Sequence, residues 1–370
     1  MVKFAVIGVG GMGKRHAFNL YHGLIQGAKL EAIVDIDDAA IDWSKKHLKK
    51  VKAYKSIDEL IQSKSVDAAL IVTPHYSHKE LAIKCIEAGI HTLIEKPMCV
   101  TTSDSQEVID VAKKHPEVKV GVSFNQRSNK MYIKAKELLE DGTMGDIQRV
   151  DYIITNWYRS QAYYNQGGWR ASYKGEGGGC LINQCVHQLD ILQWLVGMPK
   201  KVFTKAYTID RDITTEDDVT CILDYGDYRG SFSASTHEIK GINRLEIACD
   251  KGRIVITSNK MVWYTHKSQK QVNRETEKGY GFTKSKRHIK TYGLLHGIKD
   301  LVIGQQARSI KAFVSDIAGK GKMLAGIEDG YNTTMLFNSM YLSNWKRQEI
   351  ELPIDGDEYN TYLENKIKNE

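Results

Sequence analysis

The feature that most constrains the fold is a glycine-rich turn near the amino terminus, Gly8-Val9-Gly10-Gly11-Met12-Gly13. It follows an apolar run at Phe4–Gly8, which predicts a strand, and precedes Lys14–His22, which predicts a helix. In such a GxGxxG turn the first glycine permits a tight turn, the second admits a pyrophosphate, and the third lets helix and strand pack closely. The helix amino terminus adds N–H donors for the phosphates. We therefore predict a dinucleotide-binding Rossmann unit, with cofactor contacts from Gly8, Gly10, Gly11, Met12 and Gly13.

An acidic residue stands where such a unit needs one. Asp35 ends the second predicted strand, Leu30–Val34, about 20 residues beyond Gly13. A carboxylate at this place accepts hydrogen bonds from the adenine-ribose hydroxyls and repels a 2′-phosphate, so we predict NAD in preference to NADP. The alternative is a purely structural glycine turn with a surface aspartate.

Predicted strands and helices alternate through the first third of the chain, which is the pattern of a parallel sheet in an α/β fold. Beyond Asn125 short β-rich stretches separated by turns predict an α+β domain with a large, mostly antiparallel open sheet. Helices are predicted there at Leu181–Val196, Gly293–Ile303 and Ile327–Trp345. The predicted division is therefore a Rossmann domain at 1–124, a substrate-binding and oligomerisation domain at 125–353, and a peripheral tail at 354–370.

Composition narrows the class of protein. The 370 residues are 42% hydrophobic and 26% charged, which is ordinary for a globular protein of two domains. We expect no membrane span and no secretory signal, and hence a cytoplasmic location. Six scattered cysteines without a CxxC pair predict reduced, buried thiols and no metal site. The net charge of +7 is concentrated between Lys240 and Lys290, where we expect a solvated loop or sheet edge and no nucleic-acid partner.

Glu95-Lys96-Pro97 follows the predicted strand His91–Ile94. It should lie on the same carboxyl edge of the sheet as the glycine turn, where open α/β sheets bind their ligands. A lysine there could bind a hydroxyl or carbonyl oxygen, with its pKa lowered by partial desolvation. An ordinary surface charge is the alternative.

A third motif begins with three glycines and continues as Cys180-Leu181-Ile182-Asn183-Gln184-Cys185-Val186-His187-Gln188-Leu189-Asp190. The glycines suggest a flexible approach to a helix. In that helix Asn183, His187 and Asp190 would share one face of an otherwise apolar surface, and such polar groups need partners. His187 could take a proton from a substrate hydroxyl. A histidine bonded to Asp190 or to backbone within the core is the alternative.

Together the three motifs resemble the glucose–fructose oxidoreductase/inositol dehydrogenase family (Gfo/Idh/MocA), over about Lys3 to Trp345. The resemblance implies a Rossmann domain followed by a domain whose open sheet makes oligomer contacts. It also implies that Lys96 is the active-site lysine and His187 the catalytic histidine. Further contacts to the cofactor are implied for Thr73, Pro74, His75, His78, Glu95, Lys96, Gln126, Trp169 and Arg170. Asn125 and Arg127 flank Gln126, and Arg127 is expected to bind substrate.

The sequence departs from the family at Asn183, because many members have aspartate four residues before the histidine. An asparagine cannot take a proton or carry a full negative charge, so the chemistry should rely on His187 and Lys96, with Asn183 orienting a hydroxyl.

The stretch from Asn156 to Arg170 mixes aromatic and hydrogen-bonding side chains, which suits the apolar ring faces and the hydroxyls of a sugar. Tyr158 is the predicted substrate contact there. An aromatic core or interface patch is the alternative.

Three functions follow from these residues. The first is NAD-dependent hydride transfer to or from a secondary hydroxyl, at C3 in the most specific form, of a sugar, polyol or glycoside. The second is net non-redox cleavage or epimerisation of a glycoside through transient oxidation by retained NAD. The third is a non-catalytic NAD-binding regulator, which the presence of both Lys96 and His187 disfavours.

Overall fold

A computed structural model describes residues 1–166, 168–209, 211–258, 260–291 and 304–370 of the chain. These residues form two compact units. The first contains Met1–Ser128 together with the described part of Ile298–Thr334, and the second contains the described part of Asn129–Gly297 together with Met335–Glu370. The predicted helix at Gly293–Ile303 lies outside the described residues. No helix within the described ranges is long and apolar enough to cross a membrane.

The first unit is built on a six-stranded parallel sheet with the strand order β3-β2-β1-β4-β5-β6. Its strands are β1 (Val2–Ile7), β2 (Ala28–Val34), β3 (Lys52–Tyr54), β4 (Ala68–Ile71), β5 (His91–Ile94) and β6 (Val120–Val122). The order reverses between β1 and β4, which is the switch point where doubly wound sheets bind ligands. The predicted Rossmann fold is therefore confirmed, with β3 as a strand that sequence analysis missed.

The second unit contains a nine-stranded sheet in the order β14-β13-β12-β11-β7-β10-β9-β8-β15. Its strands are β7 (Ile147–Ile154), β8 (Lys201–Tyr207), β9 (Asp218–Asp224), β10 (Arg229–Ser235), β11 (Asn243–Cys249), β12 (Gly252–Thr257), β13 (Lys260–Thr265), β14 (Lys286–Thr291) and β15 (Ile350–Glu351). Neighbours pair antiparallel except β7 and β10, which are parallel. The predicted large, mostly antiparallel sheet is confirmed.

The α-helices alternate with strands in the first unit and are unevenly spread in the second. They are α1 (Gly11–Tyr21), α2 (Asp38–His47), α3 (Ile57–Ser63), α4 (His78–Glu87), α5 (Thr102–Lys114), α6 (Lys130–Glu140), α7 (Gln161–Tyr164), α8 (Tyr173–Glu176), α9 (Val186–Val196), α10 (Gln269–Glu275), α11 (Gln305–Ile317), α12 (Ile327–Lys346) and α13 (Gly356–Lys368). Several begin at a side chain that accepts a backbone N–H, such as Ser56 before α3 and Thr101 before α5.

Helix α11 returns the chain to the first unit and corrects the predicted boundaries. Its apolar face buries Ile310 and Phe313 in the same cluster as Phe4 of β1 and Leu20 of α1. The first unit therefore needs two separate stretches of chain, which a single boundary at 124 cannot provide. Sequence analysis did not predict a helix at Gln305–Ile317. Even a predicted amphipathic helix shows only which of its faces is buried, not which sheet it covers.

The predicted peripheral tail is also corrected, because residues 356–368 form α13 in the second unit. Tyr359 and Leu363 of α13 are buried. Glu370 accepts hydrogen bonds from the backbone N–H groups of Tyr173 and Lys174, at 2.7 and 3.0 Å. The end of the chain is thus part of the packed structure around α8.

Candidate active site

The glycine turn joins β1 to α1, and its glycines meet different surroundings. Gly8 has a φ of +91°, and a Cβ atom there would lie 2.8 Å from the carbonyl oxygen of Val72. A Cβ atom on Gly13 would lie 1.9 Å from the carbonyl oxygen of Gly8, so helix and strand are in close contact. At Gly10, chain neighbours aside, no atom of the described residues comes within 4 Å of the Cβ position. The backbone is therefore open where a pyrophosphate would approach.

Asp35 stands next to this turn at the end of β2. Its Oδ2 accepts the N–H of Val9 at 2.6 Å, and its Oδ1 accepts the N–H of Asp37 at 2.9 Å. The carboxylate thus holds the glycine turn as well as occupying the place predicted for a ribose contact. Each oxygen has a second lone pair that can accept a ribose hydroxyl.

Lys96 leaves the sheet at the carboxyl end of β5. The preceding Glu95 is buried, and its Oε1 accepts a hydrogen bond from Nε2 of His16 at 2.9 Å. The Lys96–Pro97 peptide bond is cis. His16 belongs to α1, so this contact ties the helix of the glycine turn to the segment that carries Lys96. Sequence analysis missed His16 because its partner is 79 residues away.

Thr73, Pro74 and His75 follow β4, and His78 is the first residue of α4; all four are predicted cofactor contacts. His78 is buried, and its ring nitrogens lie 2.8 Å from the carbonyl oxygen of Pro97 and 2.9 Å from that of Thr73. Burial lowers the pKa of His78. His78 therefore links the segment after β4 to the segment after β5. Its contact with a cofactor stays a prediction, as do those of Thr73, Pro74 and His75.

Arg127, the predicted substrate contact after β6, is buried and has partners within the first unit. It lies in a 3₁₀ turn at Asn125–Ser128 of the first unit and is 3% exposed. One guanidinium nitrogen contacts Oδ1 of Asp329 at 2.9 Å, and another contacts the carbonyl oxygen of Leu324 at 3.2 Å. Arg127 is thus a buried ion-pair partner, and its contact with a substrate stays a prediction. Gln126, beside it, is half-buried.

The triple glycine of the second unit leads into a π-helical turn, Cys180–Gln184, which we call the π-turn. Two of the glycines are packed tightly. A Cβ atom on Gly178 would lie 2.2 Å from the Tyr341 hydroxyl, and one on Gly179 would lie 2.3 Å from the carbonyl oxygen of Glu216. The glycines therefore permit close packing here, which replaces the flexible approach that the sequence suggested.

The π-turn also corrects the predicted helix at Leu181–Val196. The N–H of Cys185 bonds to the carbonyl oxygen of Cys180 at 2.9 Å, and the regular helix α9 begins only at Val186. A bond of this span inserts one extra residue into the turn. The i, i+4, i+7 spacing of Asn183, His187 and Asp190 therefore does not describe one α-helical face.

The three polar residues have different exposures. Asn183 and His187 are half-buried, whereas Asp190 is buried and accepts a hydrogen bond from Gln193 at 3.1 Å. Asn183 donates its amide N–H to Glu176. The structure therefore leaves Asn183 and His187 accessible and places Asp190 in the interior.

Glu216 is the main residue of this region that sequence analysis missed. Its carboxylate is buried and accepts the N–H of Leu181 at 2.9 Å, the N–H of Gly179 at 3.2 Å and the hydroxyl of Tyr341 at 2.7 Å. Burial raises the pKa of Glu216 to about 7. The carboxylate thus anchors the π-turn to α12. Its partner Tyr341 is 125 residues away in the sequence, so no local sequence pattern predicts the contact.

Aromatic and arginine side chains from residues 157–170 lie against the π-turn. The Tyr163 hydroxyl contacts Arg170 at 2.9 Å and Gln184 at 3.0 Å. The guanidinium of Arg159 bonds to the Gln184 side chain at 3.0 Å and lies 4.9 Å from the Tyr163 ring. The predicted cofactor contact Arg170 is therefore linked through Tyr163 to Gln184, the neighbour of Asn183. The other predicted residues nearby are Trp169, 4.6 Å from Arg170, and Tyr158, which is exposed and 5.3 Å from Arg211.

Two sequence profiles of known protein families match the chain. Residues 2–124 match "Oxidoreductase family, NAD-binding Rossmann fold", and residues 132–255 match "GFO/IDH/MocA C-terminal domain". Each match falls within one of the two predicted domains.

Among proteins of known activity, the chain is 30% identical over 260 residues to myo-inositol 2-dehydrogenase of Thermotoga maritima, covering 68% of this chain and 74% of that protein. Among solved structures it is similar in fold to the WlbA dehydrogenase of Bordetella pertussis in complex with NADH and UDP-GlcNAcA. The TM-score is 0.76 at 21% identity, over 96% of this chain and 99% of that one. Scyllo-inositol dehydrogenase of Lactobacillus casei, with NAD(H) and scyllo-inositol bound, gives 0.75 at 22% identity, over 95% and 99%.

Proposed function

Because the chain belongs to the Gfo/Idh/MocA family of NAD-binding oxidoreductases, which act on CH–OH groups, we propose that it transfers hydride between NAD and a secondary hydroxyl of a sugar, polyol or glycoside. The observation that carries this proposal lies in the first unit. Strands β1, β4 and β5 are neighbours, so the glycine turn and Lys96 leave the sheet at one edge. Chemistry on a hydroxyl next to a bound dinucleotide needs this arrangement.

Each polar side chain then has a role that its chemistry supports. NAD, when bound, supplies the hydride acceptor. His187 accepts the hydroxyl proton, since imidazole is the side chain best suited to proton transfer near neutral pH. The Lys96 ammonium stabilises the negative charge that develops on the oxygen. Asn183 orients a hydroxyl of the substrate.

The cofactor preference follows from Asp35. A 2′-phosphate next to this carboxylate would be repelled, and both oxygens of Asp35 already hold backbone N–H groups that fix its position. We therefore propose NAD over NADP. Gly10 supports binding of the diphosphate, because no side chain fills the space beside it among the described residues.

The substrate class rests on the residues around the π-turn. Tyr163, Arg159 and Gln184 form a cluster of aromatic and hydrogen-bonding side chains beside Asn183, a combination that suits recognition of a ring that carries several hydroxyls. The relatives named for myo-inositol and scyllo-inositol dehydrogenation support the same class. Oxidation at C3 of a hexose ring is the specific form of the reaction that we propose to test first.

We also propose that the protein is a homo-oligomer that uses one face of the nine-stranded sheet. Along β8 and β9 alternate side chains are buried, and the opposite face carries Tyr207 and Ile222, 55% and 54% exposed. Such apolar side chains on a sheet face favour association. The six free, buried cysteines suit the reducing cytoplasm, where we propose that the protein works.

The test is to incubate the purified protein and NAD with free sugars, polyols and glycosides while NADH absorbance and product structure are followed. Stoichiometric NADH supports the proposal, whereas cleavage or epimerisation without net NADH would indicate the non-redox alternative. Lys96→Ala and His187→Ala should each keep NAD binding and lose most turnover. Full activity in both variants would refute their assigned roles.

A further inference from the structure

Glu176 is a buried carboxylate, 2% exposed, that the proposed mechanism does not use. It is the last residue of α8. Its Oε2 accepts the N–H of Ala171 at 2.8 Å, and its Oε1 accepts the side-chain amide of Asn183. One carboxylate therefore joins the backbone before α8 to an accessible polar group of the π-turn.

The backbone around Glu176 leaves this carboxylate little freedom. Ser172 accepts the N–H of Gly175 with its hydroxyl at 2.9 Å, which caps α8. A Cβ atom on Gly175 would lie 2.3 Å from the carbonyl oxygen of Trp169, so the turn is as compact as a glycine allows. The backbone that carries Glu176 is thus held within α8, and the N–H of Ala171 holds one of its carboxylate oxygens without any contribution from Asn183.

A side-chain amide has a donor end and an acceptor end, whereas an ionised carboxylate only accepts. Glu176 therefore selects the nitrogen end of Asn183 and turns the oxygen end away. We infer that Glu176 is a positioning residue that fixes the Asn183 amide so that Oδ1 accepts a hydrogen bond from a substrate hydroxyl. This inference rests on the proposed function, and it specifies that the substrate group recognised by Asn183 is a hydrogen-bond donor.

The same geometry makes aspartate unsuitable at position 183 while Glu176 is present. Asn183→Asp would place two carboxylates in contact, and such pairs cannot both ionise at neutral pH without a large penalty. Glu176→Gln would present a second amide to Asn183 and release it to turn its nitrogen towards the substrate. In the double variant the new amide at position 176 could accept from Ala171 and donate to the new carboxylate at position 183. That pairing keeps an acceptor for the substrate.

The experiment compares these three variants with the wild-type enzyme, on the substrate found in the panel. We expect kcat/KM to fall about 10- to 100-fold in Glu176→Gln and in Asn183→Asp, and to recover to within about 5-fold of wild type in the double variant. The activity of Asn183→Asp, expressed relative to wild type at the same pH, should rise as the pH is lowered, because one proton relieves the repulsion; the ratio removes the loss of activity that protonation of His187 causes in both proteins. NAD affinity should be unchanged in all three.

Glu358→Gln is the matched control, because Glu358 of α13 pairs with Lys346 and has no part in the site. It should leave kcat, KM and the pH profile at wild-type values. Single variants as active as wild type, or a double variant no better than the poorer single one, would overturn the inference. A wild-type protein without turnover on any substrate would overturn the proposed function alone. In that case the unfolding midpoints of the wild type, the two single variants and the double variant would be compared. Additive effects of the two substitutions on the midpoint would refute the contact between Glu176 and Asn183.

Discussion

Replacing Glu216 by glutamine should change how the stability of the second unit depends on pH. In the folded protein burial raises the pKa of Glu216 from 4.5 to about 7. Between these values the unfolded chain has released the proton while the folded protein still holds it. Rising pH therefore favours unfolding. The stability contribution of the protonated carboxyl is complete below about pH 4.5 and is lost as the pH rises through about 7.

The size of the effect follows from the same two values. The difference between the two pKa values corresponds to about 3 kcal/mol in the free energy of unfolding, at about 1.36 kcal/mol for each pKa unit. Over the practical range from about pH 5.5 to about pH 8, the loss is about 2 kcal/mol. Tyr341 and Cys180 lie next to Glu216, but their pKa values are raised well above the ordinary ones, so neither titrates in this range.

The assay is urea unfolding of wild type and Glu216→Gln at several pH values, followed by circular dichroism. Because the chain contains two compact units, the transition assigned to the second unit is the one compared. We expect the wild type to lose about 2 kcal/mol relative to the variant as the pH rises from about 5.5 to about 8. A difference that stays constant over this range, or that changes in the opposite direction, would refute the reasoning.

Three further predictions concern other parts of the molecule. Gly13→Ala should lower the unfolding midpoint by the equivalent of about 1–3 kcal/mol because its Cβ would meet the Gly8 carbonyl, whereas Gly10→Ala should fold normally and lose NAD affinity in a titration. If Gly10→Ala binds NAD as wild type does, the turn is not the pyrophosphate site. Asp35→Ser should reduce the preference for NAD over NADP at least 10-fold in kcat/KM, and an unchanged ratio would contradict the role given to this carboxylate. Ile222→Glu should lower the sedimentation coefficient of the protein towards that of the monomer. An unchanged coefficient would contradict the proposed interface on this face of the sheet.

The parts of the fold that could be predicted are those that short stretches of sequence encode. The glycine turn, the strand before it and Asp35 lie within about 30 residues, and their spacing alone indicates how they contact one another. Likewise, alternating burial in β8 and β9 follows from residue order within each strand.

What could not be predicted depends on contacts between distant stretches. The polar residues around Glu216 in the sequence predict only a loop. Its contacts with Tyr341 and with the backbone of the π-turn form between stretches that are far apart in the sequence. Helical periodicity in the sequence does not reveal the π-turn. One extra residue in a turn rotates the side chains that follow it about the helix axis, but it leaves the order of apolar and polar residues unchanged. The ion pair of Arg127 was missed for the same reason, since its partner Asp329 comes 202 residues later.

The return of α11 to the first unit has a consequence for the order in which the protein is made. Met1–Ser128 leaves the ribosome without the helix that contributes Ile310 and Phe313 to its core. Roughly 190 further residues must be synthesised before that helix is complete, which takes on the order of 10–40 s at ordinary rates of synthesis. During this interval the nascent first unit has an uncovered apolar surface around Phe4 of β1 and Leu20 of α1. A chain that ends before Gln305 should therefore depend on chaperones and aggregate once released, even though it contains the whole glycine turn.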